Sequence, residues 1–326
     1  MGIEHLKYDY YMNIKTRKVE WLWYPYIAYG KITLIVGDPG NGKSTLAINL
    51  ASLVSNGESM PFCREPVKMS KVVYQNSEDA KEDTICPRLK SSGAQLGNVA
   101  YIDESLETLA MDDDRIDKVL EETGARLMVL DPYQAYFGNN ADMYRASDSR
   151  LILGKLSRLA QKRKCAVILV GHMTKSHGIS ELYRSLGSID IPAIARSVLL
   201  VSKMPTGDSD RLFTQIKNNL GPIGPSLLFK IMANGRIKWL GETSLTPESV
   251  LENNFDEPKT KVDKTCMLLA RLLNKGTLLA TEIEGIAKIE KIAPRTLYDA
   301  KQRLNIKSIR KGGKWYWALE NEIKDK

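Results

Sequence analysis

The sequence predicts an α/β protein: a mainly parallel sheet extended by antiparallel strands, with a small helical domain at the C-terminal end. Three observations predict it. From Ile32 to about Val201, apolar β-prone runs alternate with stretches of helical spacing, the rhythm of βαβ units. Three strand-like runs then follow one another directly, at Leu212–Ile216, Ser226–Ile231 and Arg236–Leu240, which adds antiparallel neighbours to a parallel sheet. Beyond the polar stretch 244–260, with its two prolines and two asparagines, pattern and charge change together. The expected organisation is therefore one domain over residues 1–243, with 1–20 a polar N-terminal segment. A linker over 244–260 then leads to a second domain over 261–326.

Taken in order, the aromatic cluster Trp21–Ile27 comes first, read as a lid packed on the sheet edge. The strand Ile32–Val36 then runs into Gly37-Asp38-Pro39-Gly40-Asn41-Gly42-Lys43-Ser44-Thr45 and the helix-forming run Leu46–Val54. Strand, G-x-x-x-x-G-K-S loop and helix form the phosphate-binding loop in the context it requires. The glycines let successive N–H groups turn inward toward phosphate oxygens, and the helix N-terminus adds its own free donors. Lys43 is expected to reach the β- and γ-phosphates and Ser44 to ligate a metal, so ATP with Mg2+ is the implied cofactor pair.

A second strand, Lys71–Asn76, ends in Ser77-Glu78-Asp79, and a helix-like segment follows through Leu89. A third strand is expected at Val99–Asp103. A helix is expected over Met111–Thr123, with Ile116, Val119 and Leu120 on one face. Arg126–Asp131 is an apolar strand ending in an acid, the Walker B pattern, and Asp131 is expected in the Mg2+ shell. Pro132 follows where AAA+ enzymes usually carry a glutamate. The base that orients the attacking water must then come from elsewhere. Glu78, at the end of a neighbouring strand, is the candidate, with Asp79 as the fallback.

A helix over 145–164 should turn Leu151, Leu153, Leu156, Leu159 and Ala160 inward. The strand Cys165–Val170 ends at Gly171-His172, which puts His172 where a γ-phosphate sensor belongs. The polar loop 173–186 offers Lys175, Tyr183 and Arg184 for contact with nucleic acid. A helix-to-strand passage containing Arg196 completes the alternating region.

The chain has 326 residues and a net charge of +8, and its charge is uneven. From Lys259 onward there are 16 Lys and Arg against 8 Asp and Glu, so the tail carries the whole excess. A basic appendage on a neutral body suggests a nucleic-acid contact, against the plainer reading of a solvated basic surface. Cys63, Cys86, Cys165 and Cys266 lie far apart without metal spacing, and read as buried thiols in a reducing compartment. No stretch resembles a signal peptide or a membrane span, so a soluble cytoplasmic protein without membrane contact is expected.

In the tail, helices are expected over Val262–Leu273, Thr281–Lys288 and Pro294–Leu304. Two short strands, Lys307–Lys311 and Lys314–Leu319, flank Gly312-Gly313 as a hairpin. Three helices and a terminal hairpin describe a winged helix. The third helix presents Arg295, Tyr298, Asp299 and Gln302, and the hairpin places Lys307, Arg310, Lys311 and Lys314 near its tip. Arg295, Lys311 and Lys314 are the expected DNA contacts, with docking to protein as the alternative. Trp315 and Trp317 should share the inward side of the hairpin and Tyr316 should face out.

Together these motifs resemble the RecA-fold ATPases similar to the plasmid RepA-type hexameric replicative helicase, a group common in phages and mobile elements. The resemblance runs from about Trp21 to Leu240. It rests on Gly37–Thr45, Glu78-Asp79, Asp131-Pro132, Gly171-His172 with Lys175, and Arg184–Ser188 leading on to Arg196-Ser197-Val198. It implies a ring of six subunits, ATP bound between neighbours, single-stranded DNA in the channel, and Arg196 as an arginine finger acting in trans. Lys217-Asn218-Asn219 resembles the lysine-x-arginine piston of DnaB-type helicases, except that Asn219 replaces the arginine. That departure shifts the finger role to Arg196 and leaves Lys217 as a second trans contact. The alternatives are a non-motor, nucleotide-switched replication initiator or regulator, and a RadA-like recombination ATPase.

Overall fold

The computed structural model describes residues 8–138, 145–171, 190–204, 210–246, 261–273, 277–304 and 306–318. They fall into two compact units, the larger built from Met1–Lys203 and Asp210–Glu252, the smaller mainly from Asn253–Lys326.

The larger unit begins with β1 (Trp21–Trp23), β2 (Ile27–Ala28), β3 (Ile32–Val36), α1 (Lys43–Asn56) and β4 (Val72–Asn76). It continues with α2 (Cys86–Ser92), β5 (Val99–Ala100), α3 (Asp114–Thr123), β6 (Leu127–Asp131) and α4 (Ala146–Arg163). It closes with β7 (Ala166–Val170), α5 (Asp190–Ile194), β8 (Ser197–Lys203), β9 (Asp210–Asn218), β10 (Ser226–Ile231) and β11 (Ile237–Thr243). Nine strands form one sheet in the order β11-β10-β9-β8-β3-β7-β6-β4-β5. From β8 through β5 all pairs are parallel, while β9, β10 and β11 pair antiparallel. This is the mixed α/β sheet that the sequence predicts.

The parallel strands read as unbroken apolar runs because both of their faces are covered. In β3, Ile32, Leu34 and Val36 enter one core layer with Leu153 and Leu156 of α4, whereas Ile35 enters the other with Leu46 and Leu50 of α1. The aromatic cluster packs into the α1 layer, where Trp23 is stacked on Phe213 at 5.0 Å and is 1% exposed. Three expectations are corrected. The third strand stops at Ala100, because Ile102 leaves the ladder and its N–H donates to the buried Gln75 side chain. Leu151 lies on the outer face of α4 at 61% exposure, and Ile152 takes the inward position beside Leu153. Of the four free cysteines only Cys165 is buried, where desolvation pushes its thiol up to about 12.

The smaller unit contains α6 (Lys261–Leu273), β12 (Leu278–Leu279), α7 (Ala280–Ile289), α8 (Pro294–Arg303), β13 (Lys307–Lys311) and β14 (Lys314–Ala318). Its sheet order is β12-β14-β13, all antiparallel, and β12 is a strand too short for periodicity to reveal. Leu269, Leu273, Ile283, Leu297, Ala300 and Trp317 make its core. The expected shared burial of Trp315 and Trp317 fails: Trp317 is 2% exposed and Trp315 53%. Alternation does place both on one face, but the core ends at Trp317 and the hairpin tip overhangs it. Among the described residues, no helix is long and apolar enough to cross a membrane.

Candidate active site

The carboxyl ends of the parallel strands gather the chemistry. The loop from Gly37 to Gly42 leaves β3, and Gly42 caps α1 in a left-handed conformation at φ 93°. A side chain there would collide with Ile231, and one at Gly37 would collide with the Val201 carbonyl of β8. Only glycine lets the loop lie this close to the neighbouring strands. Asn41 ties the loop down further, its side-chain amide donating to Val201 O at 3.1 Å. Ser44 and Thr45 occupy the first turn of α1, half-buried.

Lys43 is 3% exposed. Its ammonium donates to the carbonyls of Gly37 at 2.8 Å and Asp38 at 2.9 Å. Burial pulls its pKa below the ordinary lysine value, and the charges of Asp131, Asp38 and Glu78 oppose that shift. These carboxylates therefore act on one ammonium, which brings the candidate Walker residues and Glu78 into a single electrostatic site.

Asp131 ends β6 and is 1% exposed. It accepts a hydrogen bond from the Tyr74 hydroxyl at 2.9 Å, a contact across 57 residues of sequence. Desolvation, and next the Asp131 charge, push the Tyr74 phenol well above its ordinary value, so it remains a donor. The adjacent strand β4 pairs Asn76 with Asp131 and then turns. The Asn76 side-chain oxygen accepts from the N–H groups of Glu78 at 3.0 Å and Asp79 at 2.7 Å. That local turn presents Glu78 to solvent beside the loop. Asp79 instead pairs with Arg88 at 2.8 Å. Gly171 closes β7, where a Cβ would meet the Tyr133 ring at 2.5 Å. His172, Lys175 and Arg184 lie outside the described residues.

A cavity of about 380 Å³ sits behind the loop, lined by Thr45, Ile48, Pro87, Arg88, Asn234 and Gly235. The larger cleft, about 1090 Å³, is lined by Lys71 and Arg126 before β4 and β6 and is not part of this site.

This strand-loop-helix site on a mixed sheet has a match among known proteins: the family described as AAA domain, AAA_25, covers residues 4–178. The chain belongs to the AAA_25 family. It is a RecA-like P-loop ATPase family, which implies nucleotide and typically Mg2+. The AAA_25 chain is also similar to DNA repair protein RadA of Aquifex aeolicus, at 26% identity over 63% of this chain and 41% of that protein. For RadA of Salmonella typhimurium the identity is 27%, over 70% of this chain and 43% of the relative. For RadA of Escherichia coli it is 26% over the same shares. The chain thus spans less than half the length of these curated relatives.

Not every expected residue joins the AAA_25 site. Arg196 is exposed at the amino end of β8, its N–H bonded to Ile32 O and its carbonyl to the Asn219 N–H. It stands beside the start of β3, while the loop leaves the other end. Lys217 spends its ammonium on the carbonyls of Pro192, Ala193 and Ala195, at 2.7, 3.1 and 3.0 Å. Within this chain it holds the end of α5. Arg295 and Lys314 are exposed on the smaller unit, and Lys311 is the cross-strand partner of Lys314. Tyr74, Asn76 and the Asp79–Arg88 pair are the supporting residues that sequence reasoning missed.

Proposed function

We propose that the protein is an ATP-hydrolysing, ring-forming DNA motor of the RepA-type replicative helicase class, assembled as a hexamer with single-stranded DNA in its channel. The observation that carries this reading is the division of the reactive set between two ends of one sheet. Lys43, Asp131 and Glu78 share the carboxyl end, and Arg196 stands exposed beside Ile32 at the amino end. Four residue steps of β3 separate those ends, roughly 13 Å of strand, well beyond the reach of an arginine side chain. A chain whose arginine cannot reach its own phosphates is served by a neighbour, and head-to-tail copies that close into a ring supply one at every interface.

The residues fit a nucleotide with its Mg2+: a loop in which Gly37 and Gly42 leave no room for a side chain, a buried ammonium and a buried carboxylate. When bound, ATP supplies the phosphoanhydride to be split, and Mg2+ neutralises its charge. Gly37–Thr45 would hold the phosphates, Ser44 and Asp131 would hold the metal, and the base would sit in the cavity lined by Ile48 and Arg88. Lys43 exchanges loop carbonyls for phosphate oxygens. Glu78, which acts on the Lys43 ammonium from the carboxyl end of β4, would take the proton of the attacking water. His172 would report the γ-phosphate to the segment that carries Lys175 and Arg184. We read the smaller unit as a winged helix that contacts DNA through Arg295, Lys311 and Lys314.

The names of the relatives favour a second reading, a RadA-like recombination ATPase, and also support DNA as the partner. Turnover measured with and without single-stranded DNA, on protein of determined oligomeric mass, tests both readings. Stimulation in a hexamer that unwinds a forked duplex supports the motor. Stimulation with branch extension but no unwinding supports the RadA-like reading. Turnover indifferent to DNA overturns both.

A further inference from the structure

The hairpin of the smaller unit leaves a large aromatic ring where packing does not account for it. Successive residues of β14 alternate sides, so Trp315 and Trp317 share a face. Trp317 closes the core, and Trp315 extends past it at 53% exposure. The residues opposite them on β13 belong to the same face. Ser308 faces Trp317 and Arg310 faces Trp315. The Lys301 ammonium donates to Ser308 Oγ at 2.6 Å and lies 4.1 Å from the Trp317 ring and 5.6 Å from that of Tyr298. The Arg310 guanidinium lies 5.8 Å from the Trp315 ring. Rings and cations therefore interleave from Tyr298 on α8, itself 48% exposed, to the hairpin tip. The two strands contribute Lys307, Arg310, Lys311 and Lys314 and no acid.

An acid-free, cation-rich strand pair complements a phosphate backbone. An exposed indole among those cations adds a demand that phosphate alone does not meet, because it offers a flat face to a flat partner. Inside a duplex the base faces are already stacked and only their edges reach the grooves. Away from the ends of a duplex, a base has a free face only where it is unpaired. We infer that Trp315 is a stacking platform for an unpaired base, so that the smaller unit recognises the junction between duplex and single strand. Arg310 steadies the ring, and the tip lysines hold the adjoining phosphates. The inference rests on reading the smaller unit as a DNA-binding element, and it names the DNA structure that element selects.

The test uses the full chain, a blunt duplex whose terminal pairs are covered by attached aromatic caps, and the same duplex with a single-stranded extension in place of one cap. The extension carries a fluorescent purine analogue at its first unpaired position. Trp315→Ala is expected to weaken binding of the extended DNA by roughly 5- to 100-fold, the range that stacking of one base supplies. It should leave the blunt duplex essentially unchanged and abolish quenching of the analogue, while Trp315→Phe keeps most of both effects. Because the ring is half exposed, the substitution does not open the core, and an unchanged melting temperature verifies this. Lys311→Ala with Lys314→Ala should weaken both DNAs and reduce the salt slope by about 1.8. If Trp315→Ala binds both DNAs like wild type, weakens both equally, or leaves the quenching intact, the platform is wrong while DNA binding by the hairpin stands. If the lysine pair changes nothing either, the DNA-binding reading of the smaller unit fails and the platform fails with it.

Discussion

The two ends of the nine-stranded sheet hold similar residues in opposite states. At the carboxyl end Lys43 is 3% exposed with two carbonyl acceptors, and Asp131 is 1% exposed beneath the Tyr74 hydroxyl. At the amino end Arg196 is exposed and anchored through its backbone, while Lys217 holds the end of α5. A buried, hydrogen-bonded set is preorganised for a ligand that enters its own fold. An exposed cation on a fixed backbone is suited to a contact outside the chain. Under the proposed function, the same chemistry, charge against phosphate, is divided between two molecules, and the contrast is what motivates that division.

The largest effects should separate these roles. Arg196→Ala is expected to cut turnover by roughly 10³-fold or more, the scale of an arginine finger, without weakening nucleotide binding to the single chain. Lys43→Ala should lose binding and turnover together, because its contacts lie within one chain. Mixing the two variants should restore activity at interfaces where an intact Lys43 meets an intact Arg196. No recovery in well-mixed oligomers would place both residues in one subunit's chemistry and end the comparison. Next in size, Glu78→Gln should slow hydrolysis by roughly 10²- to 10⁴-fold while nucleotide stays bound. Asp79→Asn should do far less, since its carboxylate serves Arg88 at 2.8 Å on a half-open surface. A wild-type rate for Glu78→Gln with a slow Asp79→Asn would exchange their roles.

The legible parts of this molecule are those that local backbone chemistry dictates. Gly37 and Gly42 must be glycine because strand and loop touch there, so the loop is written in eight consecutive letters. The parallel, doubly covered centre of the sheet is legible because β3, β6 and β7 are apolar on both faces, while the strand order is set only by the fold. Tyr74 was not legible. In sequence it is one more apolar position of β4, and only the folded register brings its hydroxyl to Asp131. The intrachain role of Lys217 was hidden for a related reason: its motif position pointed to a contact between subunits, and only the fold shows three carbonyls at the end of α5 around its ammonium. Trp315 and Leu151 show the limit of periodicity. For Trp315, alternation fixes the side but not where the core stops along it; for Leu151, a run of apolar neighbours hid which of them, Leu151 or Ile152, faces inward.

The smallest prediction sharpens the buried end. Tyr74→Phe keeps the ring in its core layer and removes only the hydroxyl that donates to Asp131. A buried carboxylate that loses one donor costs about 1–3 kcal/mol. Because Asp131 retains other interactions, the effect should fall near the lower end of that range. If Asp131 holds the metal, the lost donor also frees its orientation. The Mg2+ concentration for half-maximal turnover should then shift several-fold while kcat at saturating Mg2+ changes little. The pH dependence separates this from simple loss of packing. The Tyr74 phenol is raised well above its ordinary value of 10.0 in the folded chain. Its contribution to stability is therefore full below pH 10 and lost as pH rises beyond it, through ionisation of the unfolded chain. Wild type should lose more stability than Tyr74→Phe on passing into that alkaline range. If the two melting curves run parallel through it and the Mg2+ requirement is unchanged, Tyr74 is only a core ring. The order of the buried end then comes from the loop and Asp131 alone.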